Sequence, residues 1–314
     1  MADVRVLLAL GGNAMTAPDG SATPAAQIEA VGVAMRATAA LVAAGHELVI
    51  THGNGPQVGN ILVKNELAAH VVPPVPLDWC GAQTQGTLGF TILNALDQAL
   101  ADVGAVRPVA ALVTRTLVDR DDPHFTHPSK PIGRYLPREQ AQALIDHGQV
   151  WEDRGEKGWR RIVASPEPLE VIDVGPVRAL LETGHVVVAA GGGGIPVVRE
   201  PDGRLRGVEA VIDKDLTAAL LALTLEADVL VIATDVDHAA VDWGTPQQRE
   251  LGRVGLAELR AHAADGQFAS GSMGPKVDAA TRFVAGGGPR SVITSLTHIT
   301  DAVEGGFGTV IEAD

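Results

Sequence analysis

The sequence predicts an α/β fold with a parallel sheet, and three observations support this. Aliphatic, β-branched runs alternate along the chain with alanine-rich runs of helical spacing. Three of the predicted strands end directly in glycine-rich turns, at residues 11–13, 53–55 and 191–194. The order strand, loop, helix, strand is typical of parallel strands joined by right-handed crossovers. Residues 1–314 contain no stretch typical of an interdomain linker, so one α/β domain is expected.

The first third of the chain predicts two strands and three helices. The strands are expected at residues 4–10 and 46–51, and the helices at 24–44, 57–69 and 80–101. Gly45 closes the first helix as a C-terminal cap. Small residues on one side of the third helix fit either the core or a dimer interface. Residues 106–119 predict a single strand with a proline near its start.

The composition changes over residues 119–170, which mix charge, proline, glycine and aromatic residues. Two of the four tryptophans and the only tyrosine fall in this stretch. Aromatic residues give such a segment something to bury, so we expect an inserted, protruding subdomain or lid over 119–170. A pair of long surface loops is the alternative.

The alternating pattern resumes after this stretch. Strands are expected at 185–190, 229–234 and 290–295, helices at 177–183, 255–264 and 276–285, and a terminal segment at 309–313. A hairpin is expected around residues 201–203 and a loop from 266 to 275. A turn at 213–215 opens a further helix that ends near residue 227.

Composition and charge limit the classes of partner and compartment. A formal net charge of −14 disfavours nucleic acid and anionic membrane surfaces as main partners. Cys80 is the only cysteine, so no intrachain disulfide is expected and a reducing compartment is favoured. The N-terminal apolar run is too short for a signal peptide, and no run of eighteen apolar residues indicates a membrane span. The prediction is a soluble, cytoplasmic protein.

The glycine turns indicate a ligand site but match no known nucleotide loop. One such turn is weak evidence, because tight turns use glycine for its backbone freedom alone. Three turns at the carboxyl edge of one parallel sheet can converge on a shared crevice. None fits the dinucleotide pattern G-x-G-x-x-G or the phosphate loop G-x-x-x-x-G-K-[ST]. The charge for a phosphate site therefore has to come from elsewhere.

The turn Asp213–Asp215 is a candidate source of that charge. Asp215 is predicted to cap the following helix, which places Lys214 at the helix N-terminus, where anions are favoured. An ordinary capped surface helix is the alternative. Lysine occurs only five times, and Lys130, Lys214 and Lys276 lie in constrained or glycine-flanked contexts. A compact ammonium suits a phosphoryl group, whereas solvated surface lysines are the alternative.

Seven segments together resemble carbamate kinases of the amino acid kinase superfamily. They are LGGNA from Leu10, THGNGPQVG from Thr51, KPIG from Lys130, AGGGGIP from Ala190, GVEAVIDKDL from Gly207, TDVD from Thr234 and GSMGPKV from Gly271. The resemblance runs in one order from residue 6 to about residue 310. Other superfamily members carry a lysine in the first glycine motif; here Leu10 precedes the glycines, and Lys130 stands in for that lysine, as in carbamate kinases.

The resemblance implies a fold, a reaction and a set of roles. The fold is a three-layer αβα sandwich with a mainly parallel central sheet and a small protruding subdomain, usually a homodimer. The reaction is reversible phosphoryl transfer between ATP, carried with Mg²⁺, and carbamate, giving ADP and carbamoyl phosphate, usually in the direction of ATP synthesis in amino-acid catabolism. Substrate-binding residues would be Gly11, Gly12, Asn13, Gly53, Asn54, Gly192 and Gly193. Lys130, Lys214 and Lys276 would neutralise the phosphates, with Asp215 positioning lysines. Thr234, Asp235, Asp237, Met273 and Gly274 would lie along the nucleotide.

One segment departs from the family pattern. The residues after TDVD are HAAVDW, so His238 adds a bulky imidazole and Ala240 replaces an aromatic residue near the adenine. Trp243 is expected to fill that pocket instead. From the residues alone, Asp235 and Asp237 either cap the next turn or contact a nucleotide and its Mg²⁺. Two other functions stay open, a kinase acting on another small carboxylate or phosphonate and a non-catalytic nucleotide-binding protein. The intact lysines and Asp215 disfavour the second.

Overall fold

The computed structural model describes residues 4–15, 23–146, 148–269 and 271–314. Its strands are β1 (Arg5–Leu10), β2 (Glu47–His52), β3 (Val109–Ala111), β4 (Arg115–Val118), β5 (Lys130–Leu136), β6 (Trp151–Asp153), β7 (Trp159–Val163), β8 (Pro168–Val171), β9 (Val186–Val188), β10 (Ile195–Arg199), β11 (Leu205–Gly207), β12 (Val229–Thr234), β13 (Ala240–Val241), β14 (Arg249–Glu250), β15 (Arg253–Gly255), β16 (Arg290–Ser295) and β17 (Thr309–Glu312). Its helices are α1 (Pro24–Ala43), α2 (Gly55–Ala68), α3 (Leu77–Asp102), α4 (Arg138–Ile145), α5 (Val174–Glu182), α6 (Lys214–Thr224), α7 (Leu256–Ala264), α8 (Met273–Ala285) and α9 (Ile299–Val303).

The central sheet has eight strands in the order β15-β17-β16-β12-β1-β2-β9-β3. Strand β17 is antiparallel to β16, and the other neighbouring pairs are parallel. Parallel strands that are covered on both faces are apolar at nearly every position, which explains the uninterrupted aliphatic runs of β1 and β12. The mainly parallel α/β fold expected from the sequence is confirmed.

Helices cover both faces of this sheet. Successive residues of a strand point to opposite faces, so Leu7 and Ala9 of β1 enter one apolar layer and Val6, Leu8 and Leu10 enter the other. The first layer contains the buried sides of α5, α6 and α8, and the second those of α1, α3 and α9. This is the three-layer sandwich that the family resemblance implied.

Helix α1 is long and apolar enough, by length and composition, to cross a membrane. In the fold, its residues Val31, Met35 and Leu41 are fully buried in the second apolar layer. The core helix of a water-soluble α/β protein is buried in this way and passes the same test of length and composition. Length and composition are therefore weak evidence for a span.

The prediction of one strand over residues 106–119 is wrong. Strand β3 pairs with β9 in the central sheet, whereas β4 belongs to a separate four-stranded sheet of order β11-β10-β4-β8. Thr114 separates them: its backbone N–H donates to Gln85 Oε1 (2.9 Å), and its carbonyl oxygen accepts from Gln85 Nε2 (3.1 Å). The Gln85 side chain thus takes the Thr114 N–H, which a continuous strand would give to a neighbour, while the Thr114 carbonyl oxygen also accepts the backbone N–H of Ile195 (2.9 Å).

A third sheet, of order β5-β7-β6, occupies the middle of the stretch where an insertion is predicted. It has a small core of its own, in which Leu136, Ala141 and Trp151 are buried and Trp159 packs against them. The two tryptophans of this stretch therefore bury apolar surface within it. The limits of a subdomain at 119 and 170 stay a prediction.

Candidate active site

The glycine turns after β1 and β2 contact each other at the carboxyl edge of the sheet. Gly53 N–H donates to the carbonyl oxygen of Leu10 (3.0 Å), and Gly11 N–H donates to that of Ala233 at the end of β12 (2.9 Å). A Cβ atom on Gly53 would lie 2.9 Å from the backbone nitrogen of Gly12, so this approach requires glycine. Asn13 follows in the short 3-10 turn Gly12–Met15.

The third glycine turn, between β9 and β10, meets the other two. Gly192 has a φ of +66°, and a Cβ there would lie 2.1 Å from Asn54 Nδ2. A Cβ on Gly193 would lie 2.6 Å from the carbonyl oxygen of Ile212, next to the predicted charged turn. The structure therefore brings the three turns, which are far apart in sequence, into one place.

Buried polar side chains hold the carbonyl groups of the third turn. Gln85 Nε2 donates to Gly191 O (2.9 Å), and Gly193 O accepts from Thr116 Oγ1 (2.9 Å) and Thr217 Oγ1 (3.0 Å). In a trans peptide the N–H of the next residue points away from the preceding carbonyl oxygen. The Gly191–Gly192 peptide is therefore held with its N–H directed away from Gln85. Sequence reasoning missed these polar residues, whose only signal is a polar position within a largely apolar element.

Two of the three predicted lysines share one buried carboxylate. Lys214 Nζ donates to Asp215 Oδ1, and Lys276 Nζ lies 3.3 Å from Asp215 Oδ2. The Asp215 side chain is 4% exposed and each of these lysines 14%. Burial opposes ionisation, but the two ammonium groups outweigh it and hold the pKa of the Asp215 carboxyl below its usual value. Asp215 is thus an anion that fixes two cations.

The prediction that Asp215 caps α6 is wrong, because the helix begins two residues earlier, at Lys214. Asp213 is the N-cap, and its Oδ1 accepts the backbone N–H of Asp215 (2.9 Å). The other oxygen of Asp213 accepts from Lys130 Nζ (3.0 Å), which comes from β5. We call Lys130, Lys214, Lys276, Asp213 and Asp215 the lysine cluster. Its three positive and two negative groups give a net charge of +1, in a chain whose net charge is −14.

A cleft of about 470 Å³ opens beside the cluster, between α2, β5 and the third glycine turn. Asn54, Lys130 and Gly192 are among its lining residues, whereas Lys214 and Lys276 are not. Arg160 of β7 also lines it, and its guanidinium lies 5.0 Å from the Tyr135 ring centroid. Apolar side chains, backbone groups and the cations Lys130 and Arg160 therefore line the cleft together, and the cations make it suitable for a small anion.

The predicted nucleotide residues extend from the end of β12 to the start of α8. Thr234 Oγ1 donates to Asp235 Oδ1 (3.0 Å), and both Asp235 and Asp237 are exposed. Helix α8 begins at Met273, so the expected loop over 266–275 is too long and Met273 and Gly274 lie in the helical turn that precedes Lys276. Residue 270 of that loop lies outside the described residues.

The side chains of the segment HAAVDW, which departs from the family pattern, have different surroundings. The His238 ring packs against Phe307, with centroids 4.9 Å apart, and Ala240 is buried in β13. Trp243 is 63% exposed at the turn between β13 and β14, after Asp242, whose φ is +53°. The imidazole thus packs within the protein, and the role of Trp243 at the base stays a prediction.

Comparisons with known proteins agree with this geometry. A sequence model of the amino acid kinase family matches residues 4–295. A carbamate kinase from Thermococcus kodakarensis is 45% identical over 312 residues, which cover 98% of either chain. The carbamate kinase-like protein YqeA of Escherichia coli is 42% identical over 98% of either chain. The structure of carbamate kinase from Giardia lamblia bound to AMP-PNP matches with a TM-score of 0.94 and 41% identity, covering 100% of this chain and 99% of that one.

The chain belongs to the amino acid kinase family and, within it, to the carbamate kinases. The resemblance identified from seven sequence segments is therefore confirmed, as is the fold that it implied. A carbamate kinase is an ATP-dependent phosphotransferase. The prediction that the protein is an enzyme is therefore confirmed, and the alternative of a non-catalytic nucleotide-binding protein is not favoured. The roles of individual residues are a separate matter and stay predictions.

Sequence reasoning missed the contribution of two residues to this carbamate kinase site. The sequence places Asp213 only in a turn, although it caps α6 and pairs with Lys130. His52, the last residue of β2, is 1% exposed and lies against Gly191, where a Cβ would come within 2.4 Å of its Nε2. The signal for Asp213 is its place beside Lys214, and the signal for His52 is a polar residue directly before a glycine turn.

Proposed function

We propose that the protein catalyses reversible phosphoryl transfer between ATP and carbamate through the lysine cluster and the three glycine turns. The observation that carries the proposal is one carboxylate, Asp215, holding Lys214 and Lys276 next to Asp213 and Lys130. This arrangement concentrates positive charge in a protein that is strongly acidic overall. The family relationship supports the same reaction.

The chemistry needs positioning and charge neutralisation rather than proton transfer. In the forward direction a carbamate oxygen attacks the γ-phosphorus of ATP, the new P–O bond forms, and the bond to the ADP oxygen breaks. Carbamate is already an anion, so no general base is required. The transferred group spreads negative charge over its equatorial oxygens, which ammonium groups and backbone N–H groups stabilise. We assign the ammonium groups to Lys130, Lys214 and Lys276, and the backbone N–H groups to the glycine turns.

A divalent metal carried by the nucleotide completes the charge balance, and we propose Mg²⁺. Mg²⁺ prefers oxygen ligands and commonly takes only one or two protein carboxylates when phosphates supply further oxygens. Asp235 and Asp237 are exposed carboxylates at the carboxyl end of β12, where the predicted nucleotide residues begin. Within the described ranges, no three His, Cys, Asp or Glu side chains are grouped to hold a metal ion without a nucleotide. When bound, the metal would neutralise phosphate charge.

We also propose a homodimer, which uses the outer face of α3. Trp79 is 60% exposed and Phe90 is 64% exposed, and eleven residues of helix, about three turns, place them on one side. Exposed large apolar side chains on one face mark an interaction surface. Sedimentation equilibrium should give twice the chain mass, and Trp79→Lys with Phe90→Lys should give one chain mass; a monomeric unmodified protein would refute the proposal. We infer a cytoplasmic enzyme from the lone cysteine, because proteins of oxidising compartments commonly use cysteines in pairs.

The lysine assignment is tested by Lys214→Ala, with Lys157→Ala as a matched control on an exposed lysine. Removing a cation that contacts the phosphoryl group should lower kcat for ATP formation from ADP and carbamoyl phosphate by about 100-fold or more. Lys157→Ala should keep the unmodified rate. Weak nucleotide binding by Lys214→Ala together with near-normal turnover would show that Lys214 serves the nucleotide and not the transferred group.

A further inference from the structure

His52 lies between two of the glycine turns without being exposed to the cleft. Its Nδ1 atom is 3.0 Å from the carbonyl oxygen of Gly53, and its side chain is almost fully buried. The Nε2 edge of the ring faces Gly191, where a Cβ would lie 2.4 Å from Nε2 and 2.6 Å from Cε1. One imidazole therefore touches the turn after β2 and the turn after β9.

The contact with Gly53 determines which nitrogen carries the proton. A carbonyl oxygen only accepts hydrogen bonds, so Nδ1 must donate. In the neutral ring Nε2 is then unprotonated and packs against the Gly191 backbone. Burial lowers the pKa of His52 to about 4; the Gly53 bond opposes the shift and the nearby charge of Lys214 adds to it. A second cation beside Lys214 is thus avoided.

The same contact orients the following peptide. Because the Gly53 carbonyl oxygen is tied to the buried ring, the Asn54 N–H on the other side of that trans peptide points away from it. No described residue accepts a hydrogen bond from this N–H. Asn54 occupies the N-cap position before α2, and its side chain donates to Thr84 Oγ1 (2.8 Å) instead of capping the helix. Asn54 and Gly192 both line the cleft.

We propose that His52 is a positioning residue for phosphoryl transfer, whose neutral imidazole holds the Gly53–Asn54 peptide and the Gly191 backbone so that the N–H groups of Asn54 and Gly192 face the transferred phosphoryl group. Gln85, which holds the Gly191 carbonyl oxygen, fixes the second of these N–H groups from the opposite side. The proposal rests on the proposed function, because it names how that site places its backbone donors.

Three variants separate hydrogen bonding from packing. His52→Phe keeps a ring but removes the donor, His52→Asn keeps an N–H near the Nδ1 position, and His46→Phe changes another buried histidine at the opposite end of β2. Misplacing a backbone donor should lower kcat by about 10- to 100-fold in His52→Phe, with KM for ADP changed by less than about threefold. His52→Asn should recover most of the rate, and His46→Phe should retain it. Equal loss in His52→Phe and His52→Asn, or no loss in a folded His52→Phe, would overturn the proposal.

A spectroscopic measurement tests the proposal apart from turnover. Histidine side-chain ¹⁵N NMR of the full chain should show His52, assigned by its loss in His52→Asn, as the neutral Nδ1–H tautomer from pH 8 to pH 5. An Nε2–H tautomer, or protonation near pH 6.5, would overturn it. If the unmodified protein shows this tautomer but does not turn over carbamoyl phosphate, the proposed function fails and the positioning role fails with it. If the unmodified protein does turn over carbamoyl phosphate, the rates of His52→Phe and His52→Asn decide the positioning role.

Discussion

Asp215 accepts hydrogen bonds from two ammonium groups while its own side chain is almost completely buried. A buried ion pair gains little over an apolar substitute, yet breaking one by removing a single partner leaves an uncompensated buried charge. Here, removal of the Asp215 carboxylate would leave the ammonium groups of two lysines buried without a compensating charge. Asp215 therefore stabilises the folded state as well as the geometry of the lysine cluster.

Asp215→Asn is expected to lower the free energy of unfolding by about 3–5 kcal/mol, because Lys214 and Lys276 lose their partner. Urea denaturation followed by circular dichroism measures this loss. Asp202→Asn is the control, since Asp202 pairs with Arg204 on the exposed β10–β11 turn, where an ion pair contributes about 0–1 kcal/mol. A similar stability for Asp215→Asn and the unmodified protein would show that the lysines do not depend on this carboxylate.

The same residues show what sequence reasoning can resolve at this scale. The stretch IDKD predicted a helix N-terminus, which the structure has, but the residue that caps the helix is Asp213 and not Asp215. Helix ends are uncertain by one or two residues from sequence, and a shift of two residues decides which of these carboxylates caps the helix. The partner of Lys130 was equally hidden, because Lys130 and Asp213 are 83 positions apart.

The turn between β9 and β10 is the element on which the three glycine turns depend. Gly192 combines a positive φ with close packing against Asn54, so a side chain there meets both backbone strain and a neighbour. Gly203, in the β10–β11 turn, has a φ of +84°, but a Cβ at that position would have no heavy atom within 4 Å. A comparison of Gly192 with Gly203 therefore separates the effect of close packing from that of backbone strain.

Gly192→Ala is expected to lower kcat by about 100-fold, since the added methyl group displaces Asn54 and the turn. Gly203→Ala should leave kcat unchanged and cost only the backbone strain, about 1–3 kcal/mol in the free energy of unfolding. Steady-state rates and urea denaturation of both variants provide the check. Equal rates in the two variants would show that close approach of the third turn to Asn54 is not needed.

At the scale of elements, periodicity predicted most of the central sheet. Strands β1, β2, β9, β12 and β16 follow from aliphatic runs in the sequence. The failure over 106–119 has a particular cause: Gln85, on a distant helix, takes the backbone N–H of Thr114, and the Thr114 carbonyl oxygen accepts from both Gln85 and the backbone of Ile195, so the strand divides there. Such tertiary contacts override local propensity and leave no local pattern.

The buried His52 links the site to the stability of the whole molecule. Its pKa is about 4 in the folded protein and about 6.5 in an unfolded chain. Between these values the unfolded chain binds a proton that the folded protein does not, so the free energy of unfolding falls as the pH falls. Asp215, whose pKa is lowered, loses its stabilising contribution only at still lower pH.

We therefore expect the histidine to cost about 3 kcal/mol of stability between pH 6.5 and pH 4. Urea denaturation at pH 7, 6, 5 and 4.5 measures the slope, and His52→Phe should show a shallower one than the unmodified protein. His46→Phe again serves as the control for loss of a buried histidine. Identical slopes in the unmodified protein and His52→Phe would mean that His52 takes up its proton equally in both states.

For the whole molecule, the sequence was sufficient for the fold class and the family, because the seven motifs occur in one order along nearly the full chain. It also selected the three lysines that the structure brings to two neighbouring carboxylates. It could not show that Lys130 reaches the cluster from a separate sheet, or that β10 and β4 form a second sheet beside the third glycine turn. Those facts depend on long-range packing, which residue patterns do not encode locally.

The central claim is tested most directly by the initial rate of ATP formation from ADP and carbamoyl phosphate, measured beside acetyl phosphate with the same coupled assay. We predict saturable turnover with carbamoyl phosphate at a kcat/KM about 100-fold or more above that for acetyl phosphate. Turnover with acetyl phosphate or another acyl phosphate, in the absence of turnover with carbamoyl phosphate, would contradict the account and assign the lysine cluster to a different small acid.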